Sequence, residues 1–173
     1  ACGDRVFMNK WVWGILAGGL VILLAWLLLP ALPFGHKASV AKIFVDPKEN
    51  EAYIADGYLN KRVAVIDAES GKMKRFWGAY GKPPDDKAAL AQGPYDPTVT
   101  YQHFRGPVHC ADVSLDNLVY VCDRTSNRLQ IFKPDGTFVK EVFIARDSRS
   151  DGAVWDVAFS RDPQQKYLYV ADG

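Results

Sequence analysis

The sequence predicts an all-β fold, a partial β-propeller of four-stranded antiparallel blades, behind one N-terminal transmembrane or signal helix. Three observations carry this. The tetrapeptide Tyr53-Ile54-Ala55-Asp56 returns as Tyr120-Val121-Cys122-Asp123 and again as Tyr169-Val170-Ala171-Asp172. Around each copy, short runs of β-branched and aromatic residues alternate with clusters of Gly, Pro, Asp and Asn, the texture of strands joined by tight turns. Ahead of them, the 25 residues from Trp11 to Gly35 contain no charge.

The apolar run comes first. A helix rises about 1.5 Å per residue, so roughly 20 residues cross a bilayer core, and this run is long enough. Trp11 and Trp13 stand at one end, where amphipathic rings favour the headgroup layer. Pro30 and Pro33 stand near the other, where they would end or kink a helix at little cost. Two readings stay open: a membrane anchor, and a cleaved signal peptide with small residues at Ser39-Val40-Ala41. Signal-peptide apolar cores usually run about 7–15 residues, shorter than this one. Under either reading the remainder of the chain is exported. Arg5 and Lys10 precede the run, which places residues 1–10 on the cytoplasmic side; His36 and Lys37 after it weaken that bias. Met8 reads as a natural start, so residues 1–7 are expected to be non-native. Cys2 precedes the apolar run instead of following it, which is the wrong order for a lipidated cysteine.

From residue 36 onward the chain reads as strands. Strands expected at Ala41–Val45, Val108–Ser114 and Val154–Ser160 precede the three tetrapeptides. After the first come Asn60-Lys61-Arg62-Val63-Ala64-Val65-Ile66-Asp67, and after the second Asn127-Arg128-Leu129-Gln130-Ile131-Phe132. Turn chemistry at Glu69-Ser70-Gly71 and Pro134-Asp135-Gly136 then introduces a fourth strand. Four-stranded units repeated around an axis make a propeller. In such a unit the alternating apolar positions of Tyr120-Val121 and Leu129-Ile131 pack one face on a neighbouring blade. The Asp closing each second strand is expected to accept backbone N–H groups of the next turn, and the Asn and Arg beyond it to tie that turn down.

These residues resemble the NHL-repeat family of β-propellers, whose unit runs Pro-x-x-Val-Ala-Val-Asp, Gly, Val-Tyr-Val-Ala-Asp, Asn-x-Arg-Ile-x-x-Phe and a closing Gly. The second copy, Pro107 through Gly136, matches best. The first carries one extra residue between Asp56 and Val63, expected to form a bulge or longer turn. The resemblance covers about residues 39–173 and implies a six-bladed ring. The Asp anchors lie 67 and 49 residues apart, and the longer gap holds an insertion, 82–104, rich in Pro, Asp, Gly and Tyr. Two units and half of a third are present, so the chain reads as part of a longer protein. Produced alone, residues 39–173 are expected to self-associate through open strand edges.

Propeller sites gather on one face around the central channel. His109 begins an inner strand there. Alignment of the units sets Trp155 beside His109 and Asp156 beside Cys110, with Ser39 and Val40 at those places in the first. His109, Trp155 and Asp156 are therefore the candidate ligand-binding residues, and His109 the candidate metal ligand, weighed against a plain hydrogen-bonded inner-strand role. A zinc site needs three or four ligands, so further ligands would come from other blades; a complete ring could hold a zinc or calcium ion. His36 flanks the apolar run and His103 lies in the insertion, which makes both weaker candidates. Cys110 and Cys122 fall opposite each other across a hairpin centred near residue 116. They form either a disulfide or two small buried residues, and an exported location would permit the bond. Tyr80, Tyr95, Tyr101 and Phe104 mark the insertion as a lid, a partner contact or an ordered surface excursion.

Composition narrows the function. With 21 basic and 20 acidic side chains the net charge is +1, unlike a basic nucleic-acid binder. At 49% apolar residues the bulk of the chain is not disordered. Three cysteines without a CxxC pair exclude a zinc finger. The motifs of the common hydrolases, phosphate-binding loops, zinc proteases and dinucleotide enzymes are absent. The expected function is an exported, membrane-anchored propeller binding a protein or small-molecule ligand on one face. The alternative is a metal-dependent propeller lyase or hydrolase resembling the peptidyl-α-hydroxyglycine lyases, with His109 in a channel site.

Overall fold

The computed structural model describes residues 39–173. The readings of residues 1–38, including the apolar run at 11–35, lie outside these residues. No helix among the described residues is long and apolar enough to cross a membrane.

Among the described residues, ten strands succeed one another as antiparallel meanders. The first sheet holds β1 (Lys42–Asp46), β2 (Glu51–Asp56), β3 (Arg62–Asp67) and β4 (Met73–Trp77), in that order. The insertion carries one short helix, α1 (Asp86–Leu90), whose first turn is capped by the Asp85 carboxylate on the Ala88 N–H. The second sheet holds β5 (Val108–Val113), β6 (Val119–Asp123), β7 (Arg128–Phe132) and β8 (Phe138–Phe143). The hairpin of β9 (Asp156–Phe159) and β10 (Leu168–Ala171) begins a third. Each tetrapeptide lies on a second strand, with Asp172 just past the end of β10. Strand β5 packs beside β1 and β2 on one side and β9 on the other, so the sheets stand as neighbouring blades with their first strands innermost.

The sheets repeat in detail. The pairing of the third and fourth strands slips between Val65 and Ile66 in the first and between Ile131 and Phe132 in the second. These are equivalent positions, because Arg62 and Arg128 face Asp56 and Asp123 at the same place. The tight turns use the expected chemistry. Asp67 Oδ1 accepts from the Ser70 N–H at 2.7 Å, and Asp135 Oδ1 from the Thr137 N–H at 2.8 Å.

Packing goes further than one apolar face per blade. Val119 and Val121 of β6 join Tyr53, Val63, Val65, Trp77, Phe104 and Phe132 in the core between the first two sheets. Cys122, Leu129 and Ile131 point the other way, onto Val154 and Val157 of the third unit. All five residues of β7 are buried. The second blade is an interior blade, covered on both faces, and alternation along its strands selects which neighbour each side chain meets.

The Asp–Arg clasp also departs from expectation. Asp123 Oδ2 accepts from Arg128 Nε at 2.9 Å, and Asp56 Oδ2 from Arg62 Nε at 2.8 Å, both pairs buried. The free oxygen of Asp123 does not cap the next turn. It accepts the N–H groups of Arg105 and Gly106, at 3.0 and 3.2 Å, on the segment entering β5. The succeeding residues, Arg124–Ser126, close a 3-10 turn through their own backbone and need no such cap. Asn127 ties the third unit instead, accepting from the Ala153 N–H at 2.7 Å and donating to the Ser148 carbonyl at 2.7 Å.

Candidate functional site at the loop-rich face

In each meander the first and third turns share one end of the sheet, and the second turn and the exit share the other. One face of the blade row therefore carries compact turns at 47–50, 68–72, 114–118, 133–137 and 160–167. The opposite face carries 57–61, 124–127, the long connection 78–107 and the segment 144–155. The insertion is fastened there as an ordered excursion. Arg128 donates to the Tyr101 and His103 carbonyls at 2.8 and 3.1 Å. Arg146 Nε donates to the Pro97 carbonyl at 2.7 Å, and Tyr95 donates to the Arg146 carbonyl at 2.6 Å. Tyr101 and Phe104 are buried, and Phe104 belongs to the main core.

His109 sits on this face, and its backbone explains its aim. Val108 faces Asp123 and Cys110 faces Cys122, so His109 is the extra residue of a β-bulge with nothing opposite it. Its Nδ1 lies 2.6 Å from the Trp155 carbonyl oxygen. A carbonyl only accepts, so Nδ1 carries the hydrogen. Nε2 is left as the acceptor in the neutral ring, and the Tyr58 hydroxyl stands 3.2 Å from it. The His109 ring meets Trp155 edge-on at 5.4 Å and Tyr58 edge-on at 5.9 Å. The Arg124 guanidinium lies 4.2 Å over the Trp155 ring. Three successive blades thus contribute a continuous row: Tyr58, His109, Trp155, Arg124.

The row obeys a rule of the repeat. The Tyr58 N–H donates to the Ser39 carbonyl as the Arg124 N–H donates to Pro107, so Tyr58 and Arg124 are equivalent. Each comes just after a second strand and reaches sideways to the head of the next blade's inner strand. Gly57, the extra residue of the first copy, makes this approach close: a Cβ there would come within 2.1 Å of the Val108 backbone. Buried Lys61 holds the same loop, donating to the Gly57 and Tyr58 carbonyls at 3.1 and 3.3 Å. Burial pulls its pKa below the ordinary lysine value, with Asp86, Asp123 and Asp56 opposing.

The alignment of the first unit needs correction. Lys42 faces Ala55 as Cys110 faces Cys122 and Asp156 faces Ala171. The residues equivalent to His109 and Cys110 are therefore Ala41 and Lys42, not Ser39 and Val40. The inner hairpins differ in reach, 47–50 against 114–118 and 160–167, so the offset between the Asp anchor and the strand head is not constant.

Asp156 is not beside His109's ring nitrogens; it belongs to a second cluster. Lys42 Nζ lies 2.6 Å from Asp156 Oδ1 and 2.9 Å from Asp112 Oδ2, joining the inner strands of all three units. Burial works against the Lys42 ammonium, but the hydrogen bonds and charges of Asp156 and Asp112 outweigh it and hold its pKa above the ordinary value. Burial pushes the Asp112 carboxyl up, against the pull of Lys42. Cys110, Asp112 and Asp156 offer ligand atoms within 4.8 Å of one another. The donor chemistry does not fit a metal, because Cys110 is bonded to Cys122 and the ammonium already bridges the carboxylates. His109 lies outside this group. The Cys110–Cys122 bond crosses the β5–β6 pair with Cα atoms 4.8 Å apart, both residues fully buried.

Sequence reasoning singled out His109 and Trp155, which meet, but missed Tyr58, Arg124, Lys42 and Asp112. The signal for the first two was their shared place after the repeated Asp. Lys42 was visible only with the right register.

No protein-family model and no curated protein matches the chain. Among solved structures it is similar to the WD40 repeats of RRP9, with 18% identity over 79% of this chain and 33% of that one and a TM-score of 0.49. It is similar to U3-55K at 19% identity over 79% and 34%, with a TM-score of 0.51. It is also similar to apo AztD from Citrobacter koseri at 14% over 62% and 24%, with a TM-score of 0.39. The chain spans about a third of the length of the first two. The likeness to U3-55K, together with the stacked four-stranded sheets, establishes the fold as a partial β-propeller.

Proposed function

We propose that this chain belongs to an extracytoplasmic, membrane-anchored propeller of NHL type that binds a partner through its loop-rich face. The observation that carries the reading is the row Tyr58–His109–Trp155–Arg124. Packing positions repeat from blade to blade, while the residues at the inner-strand heads do not: Ala41, His109 and Trp155. A shared scaffold with unrepeated side chains at one end is the arrangement of a binding site grafted on a fold. The apolar run at 11–35 supplies the anchor, and a cross-strand disulfide suits an oxidising compartment.

The test is site-specific photo-cross-linking in the native cell, with the probe at position 58 and, as control, at position 135 on the turn face. Discrete cross-linked products from position 58 alone support the reading. Equal yields from both positions, or none from position 58, overturn it. One observation favours a second reading, the metal-dependent lyase or hydrolase. The Trp155 carbonyl fixes the His109 tautomer and leaves Nε2, which faces the Tyr58 hydroxyl, as the nitrogen able to act as a base or ligand. Stoichiometric metal in the full-length protein, lost on His109→Ala, would favour it.

A further inference from the structure

Two arginines of the loop-rich face, Arg105 and Arg124, bury an Nε without a hydrogen-bond partner among the described residues; Arg105 still donates from Nη1 to the Gly93 carbonyl at 2.7 Å, whereas the Arg124 side chain makes no hydrogen bond among them. The other half-buried or buried arginines of the sheets are matched to carboxylates: Arg62 to Asp56, Arg75 to Glu51 and Arg128 to Asp123. The Arg124 guanidinium carbon lies 4.2 Å from the centre of the Trp155 ring, and its Nε is buried with no hydrogen-bond partner among the described residues. A guanidinium resting over an aromatic ring is restrained by that contact, and its planar fork loses less rotamer entropy per hydrogen bond it forms. The Nη groups of Arg124 also make no hydrogen bond among the described residues, and a bound acceptor meeting them would form charge-assisted bonds that no protein group now supplies.

We infer that Arg124 binds the carboxylate of a ligand whose apolar portion rests against Trp155 and Tyr58; this rests on the binding reading above and names its ligand class. The planar fork suits a two-oxygen acceptor. A single guanidinium suits a single negative charge. The neighbouring cation, Lys61, is committed to the Gly57 and Tyr58 carbonyls, and Asp156, next to Trp155 and with its side chain 48% exposed, opposes a multiply charged anion. The apolar side is supplied by Tyr58 and Leu59, 47% and 57% exposed, and the Trp155 ring. His109 Nε2, once released by Tyr58, offers an acceptor to a hydrogen-bond donor on the same ligand.

The probe is phenylacetate, titrated into the full-length chain in detergent and followed by tryptophan fluorescence, with Trp155→Phe identifying the reporting ring. Phenylacetamide removes the charge at nearly constant shape, and phenyl phosphate changes the anion. The expected result is a saturable response to phenylacetate, absent with phenylacetamide. Arg124→Gln should weaken it about tenfold or more, and Arg124→Lys, which keeps the charge and loses the fork, should weaken it less. Arg149→Gln should leave it unchanged. A response equal for acid and amide, one unchanged in Arg124→Gln, a preference for phenyl phosphate, or no response overturns the assignment. Cross-linking from position 58 that survives Arg124→Gln at full yield sinks this inference and leaves the binding reading standing. Loss of all cross-linking in the unmutated chain sinks the reading itself.

Discussion

The first two blades share a frame and differ at one end. Both close the second strand with a buried Asp–Arg pair, and in both the fourth strand bulges, at Lys74 and Val139, opposite the same point of the third. At the head of the inner strand the first places Ala41 and Lys42, the second His109 and Cys110. After the second strand the first places Gly57 and Tyr58, the second Arg124. The frame is repeated because every blade must solve the same packing problem against its neighbours. The strand heads are free of that demand, and the chemistry gathers there.

The largest effect should come from the clasp. Asp123 meets Arg128 and two backbone N–H groups, whereas the second oxygen of Asp56 has no partner among the described residues. Asp123→Ala breaks a fully buried ion pair, leaving Arg128 with Glu141 as its remaining carboxylate and the Arg105 and Gly106 N–H groups without their acceptor; breaking a buried pair typically costs about 3–5 kcal/mol. Chemical denaturation should show a loss in that range, and a loss under about 1 kcal/mol would break the view of the clasp as the frame's anchor.

Next is the bond present in the second blade and not the first. Cys110 and Cys122 are 12 residues apart, and opening a loop of that size should cost about 2–4 kcal/mol. Thiol counting under denaturing conditions should find these two thiols only after reduction. Free thiols in aerobically purified protein would remove the contrast. Gly57→Ala should rank third, at about 1–3 kcal/mol, because its Cβ would strike the Val108 backbone. A wild-type melting temperature for that variant would show that the blades stand further apart.

The smallest effect lies in pH. The Arg75 guanidinium, opposed by burial and helped by Lys74 and Tyr53, holds the Glu51 carboxyl down at about 2, from an ordinary 4.5. The folded state therefore binds this proton more weakly than the unfolded chain. The contribution is fully present above about pH 4.5 and is lost as the pH falls through about 2. Glu51→Gln should flatten the acid limb of the stability curve, and an unchanged limb would assign it to other carboxylates.

Much of this frame was legible in the sequence because it is local. The repeated tetrapeptide, the turn residues and the Cys110–Cys122 register arise from pairing within one hairpin. The register of the first inner strand was not legible, since the inner hairpins differ in length and His109 is an inserted bulge residue. The lateral contacts were hidden for another reason. Tyr58 reaches His109, Arg124 reaches Trp155, and Lys42 reaches Asp112 and Asp156, all between units. No spacing within one repeat encodes which side chain of the next unit it will meet. The second face of each blade was underestimated likewise, because burial of β7 on both sides depends on having neighbours.

The central claim is that three successive units bring their inner strands together with their heads on one face. A double-mutant cycle between Lys42 and Asp156, which lie 114 residues apart in the first and third units, tests it directly. Lys42→Met, Asp156→Asn and the double variant should show a coupling of about 0.5 kcal/mol or more, as expected for side chains in contact. Additive losses, within about 0.3 kcal/mol, would mean that the first and third inner strands do not meet.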